Sequence, residues 1–341
     1  MKVNIITFYW SNNFGALIQA VSLRKFVENK FNFTVNFNSY LPKKLIIRER
    51  MSQINRKNLP KIYQLIKKKI ILYNWKKKIL NCDNPNQKID LYRDDLYIYG
   101  SDEIWNYQNP FFDYDPYFFG KNNEKIKISY ATSVGNAKFL KEEKIQNIKN
   151  YLNTFDDISV RDNATFDFVK KCTGKKSSIV LDPCFLVDLN STFKNKYINT
   201  HEHKYILIYG DYFNKKQISD IFSYSRKNNL KIVSAGFYNE WADESIVSID
   251  PIDLIYLFIN STLIYTSMFH GVMLSYKYKK QFWISEDPYR KNKLSYFINY
   301  LGLNDRYMEN LNNHVLNYNL NRDKFNDWLD LSKNFLIRNI K

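Results

Sequence analysis

The sequence predicts an α/β protein made of two parallel-sheet domains, and three observations carry that expectation. The chain has 341 residues, long for one domain and comfortable for two. Short apolar, β-prone runs alternate with stretches of helical periodicity in two separate series. A polar stretch at 188–203 divides the series and reads as a linker. The expected layout is a first domain at 1–187, a second at 204–320 and a C-terminal helix at 321–341.

The first series opens with a buried strand at 3–8, a loop holding Asn12, Asn13 and Gly15, and a helix at 16–28. Leu17, Ala20, Leu23 and Val27 fall on one side of that helix. A strand, an Asn/Gly loop and a helix begin a Rossmann-like unit. The loop lacks G-x-G-x-x-G, so a dinucleotide fingerprint is absent. Further strands fit 33–37, 96–99, 127–130, 158–160 and 179–181. The strand at 96–99 ends in GSDEIWN, and polar residues at the carboxyl end of a parallel strand face the crevice. Asp102 is therefore a candidate acid–base group; the structural alternative is a helix N-cap. Ser133 and Gly135 follow the strand at 127–130, and a helix fits 142–152. Arg161 ends the strand at 158–160, before a helix that starts at Asp162. Its guanidinium suits bidentate capture of a carboxylate or phosphate, or else an ion pair with Asp162 or a neighbour. Asp182-Pro183 reads as a strand stop that closes the half.

The second series places strands at 205–209, 231–235, 262–265 and 281–284. Helices fit 216–227, 251–259, 272–278 and 294–301, and right-handed crossovers would make a second parallel sheet. An amphipathic helix fits 325–340. Residues 263–271, LIYTSMFHG, run from a buried strand through a tight turn into a helix whose first turn carries His270 and Gly271. Backbone N–H groups and the positive dipole end at such a junction suit an anion. Glycine allows close approach of backbone to a ligand. The chain has 4 histidines, and the other three lie in loop-like stretches. A structural role for His270 is the competing reading.

The formal net charge of +17 is uneven. Residues 43–78 hold 13 Lys and Arg against the single acid Glu49, a net of +12. Pro60 opens a helix there that runs to about residue 80, with Ile62, Leu65, Ile66, Ile70 and Tyr73 on one face and Trp75 near its boundary. This basic helical insert at 43–80 reads as an element for an anionic membrane surface. The alternative is a solvated lid packed on the domain by its apolar face. Charge gathered in one segment makes nucleic acid an unlikely partner. Cys82, Cys172 and Cys184 fit neither a zinc site nor a disulfide framework, which points to a reducing compartment. Met1-Lys2 leads straight into a strand, so no signal peptide is expected, and no apolar run reaches the ~18–20 residues of a membrane span. The expected location is cytoplasmic, with peripheral attachment at the inner face of the plasma membrane as an option.

The ordered segments NNFGALIQAVSL, YIYGSDEIWN, ISYATSVG, ISVRDNATFDFVKK, VLDPCFLV, YTSMFHGVMLSYKYKKQFW and KLSYFINYLGLNDR resemble the polysaccharide pyruvyl transferases. The resemblance runs from residue 3 to about residue 306, and the late SKNFL is similar to that family's terminal helix. GSD-x-W-N and S-x-FHG at these relative positions are its most specific parts. The resemblance implies two Rossmann-like domains facing each other across a cleft, as in GT-B glycosyltransferases. It implies phosphoenolpyruvate as donor, and as acceptor a sugar of a surface polysaccharide (capsule or exopolysaccharide) or of its polyprenyl-linked repeat unit. The product is a cyclic ketal, and no cofactor or metal is implied. His270 matches the family's ligand-binding histidine, Arg161 its strand-end arginine and Asp102 the aspartate of its GSD motif. Arg290 looks like the basic residue after the histidine-bearing helix. One departure stands out: some members carry an arginine two positions before the histidine, where this chain has Met268.

On that resemblance, Arg161, His270, Gly271, Ser267 and Arg290 are expected at the donor. Asn13, Gly15, Ser101, Trp105 and Ser133 are expected at the acceptor or the cleft wall. His270 would bind phosphate and protonate the leaving group, and Asp102 would deprotonate a sugar hydroxyl. Three competing readings are a GT-B glycosyltransferase using a nucleotide sugar, a non-catalytic basic protein for membrane or nucleic acid, and a family member that has lost activity.

Overall fold

The computed structural model describes residues 1–38, 40–42, 44, 59–80, 94–109, 113–138, 142–193, 204–311 and 315–340. Cys82, three of the four histidines and most of the basic stretch before residue 59 lie outside these residues, as does the greater part of the expected linker.

The first domain contains β1 (Lys2–Ile6), α1 (Phe14–Phe31), β2 (Thr34–Phe37), α2 (Leu59–Trp75), β3 (Leu96–Tyr99), β4 (Ile126–Thr132), α3 (Glu142–Leu152), β5 (Asp157–Val160), α4 (Asn163–Thr173) and β6 (Ser178–Ile179). Its six strands are all parallel, in the order β2-β1-β3-β4-β5-β6. A four-residue helix, α5 (Leu189–Thr192), capped by Asp188, leads away from it. The second domain contains β7 (Tyr205–Tyr209), α6 (Lys215–Asn228), β8 (Lys231–Ala235), β9 (Glu244–Ile246), α7 (Pro251–Asn260), β10 (Leu263–Thr266), α8 (Phe269–Lys277), β11 (Phe282–Ile284) and α9 (Lys291–Tyr300). Its strands are also parallel, in the order β11-β10-β7-β8-β9. The closing helix is α10 (Arg322–Asn339).

LYIY of β3, YILIY of β7 and LIYT of β10 are buried at every position. Parallel strands covered on both faces read in this way, as continuous apolar runs. Strand order reverses between β1 and β3 in the first sheet, and between β7 and β10 in the second. The crevice beyond the carboxyl ends of strands at such switch points is where open α/β sheets bind ligands. Both switch points open onto one interdomain seam. Phe14, Leu17, Ile18 and Val21 of α1 share an apolar cluster with Leu254, Leu257 and Phe258 of α7 and Phe269, Val272 and Met273 of α8. This seam explains why α1 is buried all round from Phe14 to Leu23 rather than along one side.

Three features go beyond what the sequence shows. Residues 244–246 form an edge strand that the sequence does not announce, three half-buried residues paired to β8. The C-terminal helix is no separate unit: Phe335, Leu336 and Ile340 pack with Val3 and Ile5, and the Trp328 indole N–H donates to the Ile179 carbonyl at 2.9 Å. Last, α2 does not pack by its apolar stripe. Leu72 and Trp75 are buried, while Leu65, Ile66, Ile70 and Tyr73 are exposed. The opposite face of the helix is the one that is docked.

Candidate active site

The second domain brings the β10–α8 junction to the seam. The Thr266 hydroxyl donates to the Tyr209 carbonyl at 2.6 Å and accepts from the Met268 N–H at 3.0 Å. The buried Ser267 hydroxyl accepts from the Tyr212 N–H at 3.3 Å. These bonds staple the turn to the end of β7. A Cβ at Gly271 would lie 2.0 Å from Thr266 Oγ1 and 2.9 Å from Tyr209 Cδ1, so glycine is required here for packing against β7. Met268, at the N-cap of α8, makes no side-chain capping bond. The N-terminal N–H groups of α8 thus keep their positive end facing the seam.

The first domain brings a carboxylate cluster around one arginine. Asp182 Oδ1 accepts from the Cys184 N–H at 3.0 Å, and its Oδ2 accepts from Arg161 Nη1 at 3.1 Å. The same Oδ2 lies 3.4 Å from His270 Nε2, within ion-pair reach across the seam. Asp102 follows β3 with a left-handed φ of 80°. Its Oδ1 accepts from the Glu103 N–H at 2.9 Å and lies 3.8 Å from Arg161 Nη2. The Arg161 guanidinium also sits 4.3 Å from the ring centre of Phe269, on the opposite domain. Burial works against the charges of this group, but their mutual attraction wins. Asp182 is pushed up by burial and pulled well below the usual carboxylate range by His270 and Arg161. Arg161 is disfavoured by burial and raised by Asp182, Asp102, Asp162 and Glu103.

A second set of contacts joins the domains beside the first. Lys293 Nζ pairs with Glu103 Oε1, and the Tyr289 hydroxyl donates to Glu103 Oε2 at 3.3 Å. Burial would raise the Glu103 carboxyl, but Lys293, Arg161 and Asn106 bring it below its ordinary value. Arg290 pairs with Asp287, and its Nη1 reaches the Ser267 carbonyl at 3.5 Å. Gly15, near the start of α1, abuts His270 so closely that a Cβ there would fall 2.0 Å from Nδ1.

His270, Arg161 and Asp102 therefore meet in one place, with Gly15 against the imidazole and Arg290 alongside Ser267. Other predicted site residues lie elsewhere. Trp105 is a core residue: its indole N–H donates to the Phe118 carbonyl at 2.8 Å, and its ring stacks on Phe119. The Ser101 hydroxyl is buried against Gln19 at 2.6 Å. The Ser133 hydroxyl donates to Asp162 Oδ2 at 2.6 Å and accepts from the Gly135 N–H at 2.9 Å. Asn13 is the exposed N-cap of α1, accepting from the Gly15 N–H at 2.9 Å. Ser101, Trp105 and Ser133 are scaffold, because their polar atoms are committed inside the first domain. Asp162 caps α4 through the Thr165 N–H at 2.8 Å, so the direct partners of Arg161 are Asp182 and Asp102. The site residues that sequence reading passed over are Asp182, Glu103, Tyr289 and Lys293. Asp182 and Glu103 do carry a signal, since both follow strand ends as Asp102 does.

Arg161 Nε is buried at the seam with no hydrogen-bond partner among the described residues, and the buried His270 Nε2 has a longer contact, to Asp182 Oδ2 at 3.4 Å. Buried polar atoms are nearly always satisfied, so the unpartnered Arg161 Nε, on an arginine that shares Asp182 with a histidine from the other domain, marks a place where a ligand acceptor belongs. Among the described residues no group of His, Cys, Asp and Glu is gathered to hold a metal ion.

Two Rossmann-like domains whose switch points share one charged seam define a GT-B-like architecture. The chain belongs to the polysaccharide pyruvyl transferase family, whose model matches residues 13–285, and is an enzyme of that kind. No curated protein sequence matches it. It is similar in overall shape to UDP-GlcNAc 2-epimerase from Neisseria meningitidis bound to UDP-GlcNAc, at 10% identity and a TM-score of 0.49, over 100% of this chain and 99% of that one. It is also similar to E. coli heptosyltransferase WaaC with ADP-2-deoxy-2-fluoro heptose, at 9% identity and a TM-score of 0.40, over 86% of this chain and 91% of that one.

Proposed function

We propose that this protein transfers pyruvate from phosphoenolpyruvate to a sugar of a surface polysaccharide or of its lipid-linked repeat unit. A cyclic ketal closes across two sugar hydroxyls and phosphate is released. Family membership supports the pyruvyl transfer. The observation that supports the donor assignment is Arg161 Nε, buried without a partner, with His270 of the opposite domain facing the same Asp182 carboxylate.

The donor carries a phosphate and a carboxylate. Arg161 has its Nε–H free for a carboxylate or phosphate oxygen, and His270 Nε2 faces the same space across Asp182. The uncapped end of α8 adds N–H groups and a positive dipole. Arg290, beside Ser267, supplies the cation that position 268 lacks here. Protonation of the donor methylene makes carbon 2 electrophilic, and one sugar hydroxyl attacks it. Phosphate leaves with a proton from His270, and the second hydroxyl closes the ring. Of the two hydroxyl protons, one replaces that delivered to the methylene and one replaces that taken by phosphate. Asp102 is assigned to hydroxyl deprotonation and Asp182 to holding Arg161 and the imidazole in position. The scheme uses no cofactor or metal. Gly15 lets α1 approach His270 closely.

The test is phosphate release from phosphoenolpyruvate with candidate polyprenyl-linked saccharides, followed by mass analysis for a ketal-linked pyruvate. Thermal shift with phosphoenolpyruvate against nucleotide sugars runs alongside. Stabilisation by a nucleotide sugar and none by phosphoenolpyruvate would replace this reading with glycosyl transfer.

A further inference from the structure

We infer that the outward face of α2 is a docking surface for an anionic lipid bilayer. Tyr63, Ile66, Ile70 and Tyr73 recur at the three- and four-residue spacing of one helix face. They are 69%, 52%, 56% and 65% exposed, whereas Leu72 and Trp75 on the other side are buried. Single exposed apolar residues are ordinary; a ridge of four along one helix is not. Exposed Lys67 falls along one flank of the ridge and half-buried Lys69 along the other, and exposed Lys77 and Lys78 follow in the π-helical segment Lys76–Leu80 that continues α2. Residues 59–80 contain no acid.

This ridge is held outward by a firmly attached inner face. Lys68 Nζ donates to the Gly236 carbonyl at 2.9 Å and lies 4.4 Å from the ring centre of Phe14. The Ser248 hydroxyl donates to the Gln64 carbonyl at 2.9 Å. Lys76 Nζ donates to the Trp10 carbonyl at 2.8 Å, and Arg24 Nη1 to the Leu80 carbonyl at 2.7 Å. The helix thus bridges both domains beside the seam, and Phe14 is the neighbour of Gly15, which touches His270. A bilayer under the ridge would hold a lipid-linked saccharide against the protein on the side of the helix that spans the seam. That consequence rests on the proposed acceptor; the docking itself does not.

Charge chooses the occupant. A second copy of the chain would bring Lys67, Lys77 and Lys78 of both molecules together, and like charges repel. Anionic headgroups neutralise them while the ridge enters the headgroup–acyl boundary. Among the described residues no helix is long and apolar enough to cross a membrane, so a surface contact fits the element.

The test is co-sedimentation of the full chain with vesicles of phosphatidylcholine alone and vesicles containing phosphatidylglycerol. The wild type is expected to bind the anionic vesicles and to be released by salt. Ile66→Ser/Ile70→Ser should weaken binding about tenfold or more. Lys67→Glu/Lys77→Glu/Lys78→Glu should weaken it about a hundredfold. The serine variant should keep its circular dichroism and its turnover of a free, soluble saccharide, which separates failed docking from a wrong reaction. Equal binding to both vesicle types, no binding by the wild type, or variants that bind as well as it does would overturn the proposal. So would a wild-type dimer in light scattering that the serine variant dissociates while vesicle binding stays unchanged.

Discussion

The two sides of the seam carry opposite chemistry. The first domain contributes carboxylates, with Asp102, Glu103 and Asp182 gathered around the single cation Arg161. The second contributes basic groups, with His270, Arg290 and Lys293 beside the uncapped N-terminus of α8. Neither side is a complete site. The acidic side alone would repel the triply charged donor proposed above, and the basic side alone would bind it without a group to take a hydroxyl proton. Joining the two sets Asp182 against both Arg161 and His270 and leaves Arg161 Nε without a partner among the described residues.

The largest effect is expected from removing one basic side chain from each side. His270→Ala and Arg161→Ala should each lower kcat by about 10³-fold or more while the protein stays folded. A purified His270→Ala enzyme turning over at close to the wild-type rate would end its catalytic assignment. Gly15→Ala probes the fit of the two sides without touching a charge. The new methyl would lie 2.4 Å from His270 Cγ, so the ring must move. A loss of about 10- to 100-fold in kcat, with little change in melting temperature, is expected. Unchanged kinetics would show that the imidazole position does not matter.

The smallest effect concerns Lys68, which ties α2 to the second domain. Burial lowers its pKa from 10.5 to about 8, with Asp211 opposing the shift. A lysine whose folded pKa lies below its unfolded one costs stability in full below the folded value. The cost fades as pH rises from about 8 towards the ordinary lysine range. Relative to Lys68→Met, the wild type should therefore gain on the order of 1 kcal/mol between neutral and alkaline pH, measured by denaturant unfolding. A pH-independent difference between the two proteins would mean that Lys68 is not charged against a burial cost.

Much of the fold is legible before any coordinates. The strands at β3, β7 and β8 fall where local apolar runs place them, because a strand covered on both faces leaves its mark in consecutive residues. The edge strand β9 leaves none, since three half-buried residues become a strand only by pairing with β8. The α2 stripe is a case the sequence left between two readings, a membrane-facing element and a packed lid. Helical periodicity finds an apolar face but cannot say whether the body of the protein lies under it. Here Lys68, Lys76 and the Gln64 carbonyl bind the body, and the apolar face points away.

At the site, GSDEIWN and MFHG mark strand ends, and strand ends are where crevice residues sit. That logic finds Asp102 and His270. It overreaches at Ser101, Trp105 and Ser133, whose polar atoms turn inward to Gln19, Phe118 and Asp162. It misses Asp182, because an aspartate before proline satisfies the description of a strand stop equally well.

The sequence by itself determined two parallel α/β halves, a histidine at a helix start, and a segment of concentrated positive charge, all of them properties of neighbouring residues. Only the tertiary structure decided that Asp182 is shared by Arg161, 21 positions away, and by His270 from the other half. It also decided that the apolar face of α2 is open. Which carboxylate a buried cation chooses, and which side of an amphipathic helix is covered, depend on surfaces from distant parts of the chain. Those surfaces meet only once both sheets have formed and the seam between them has closed.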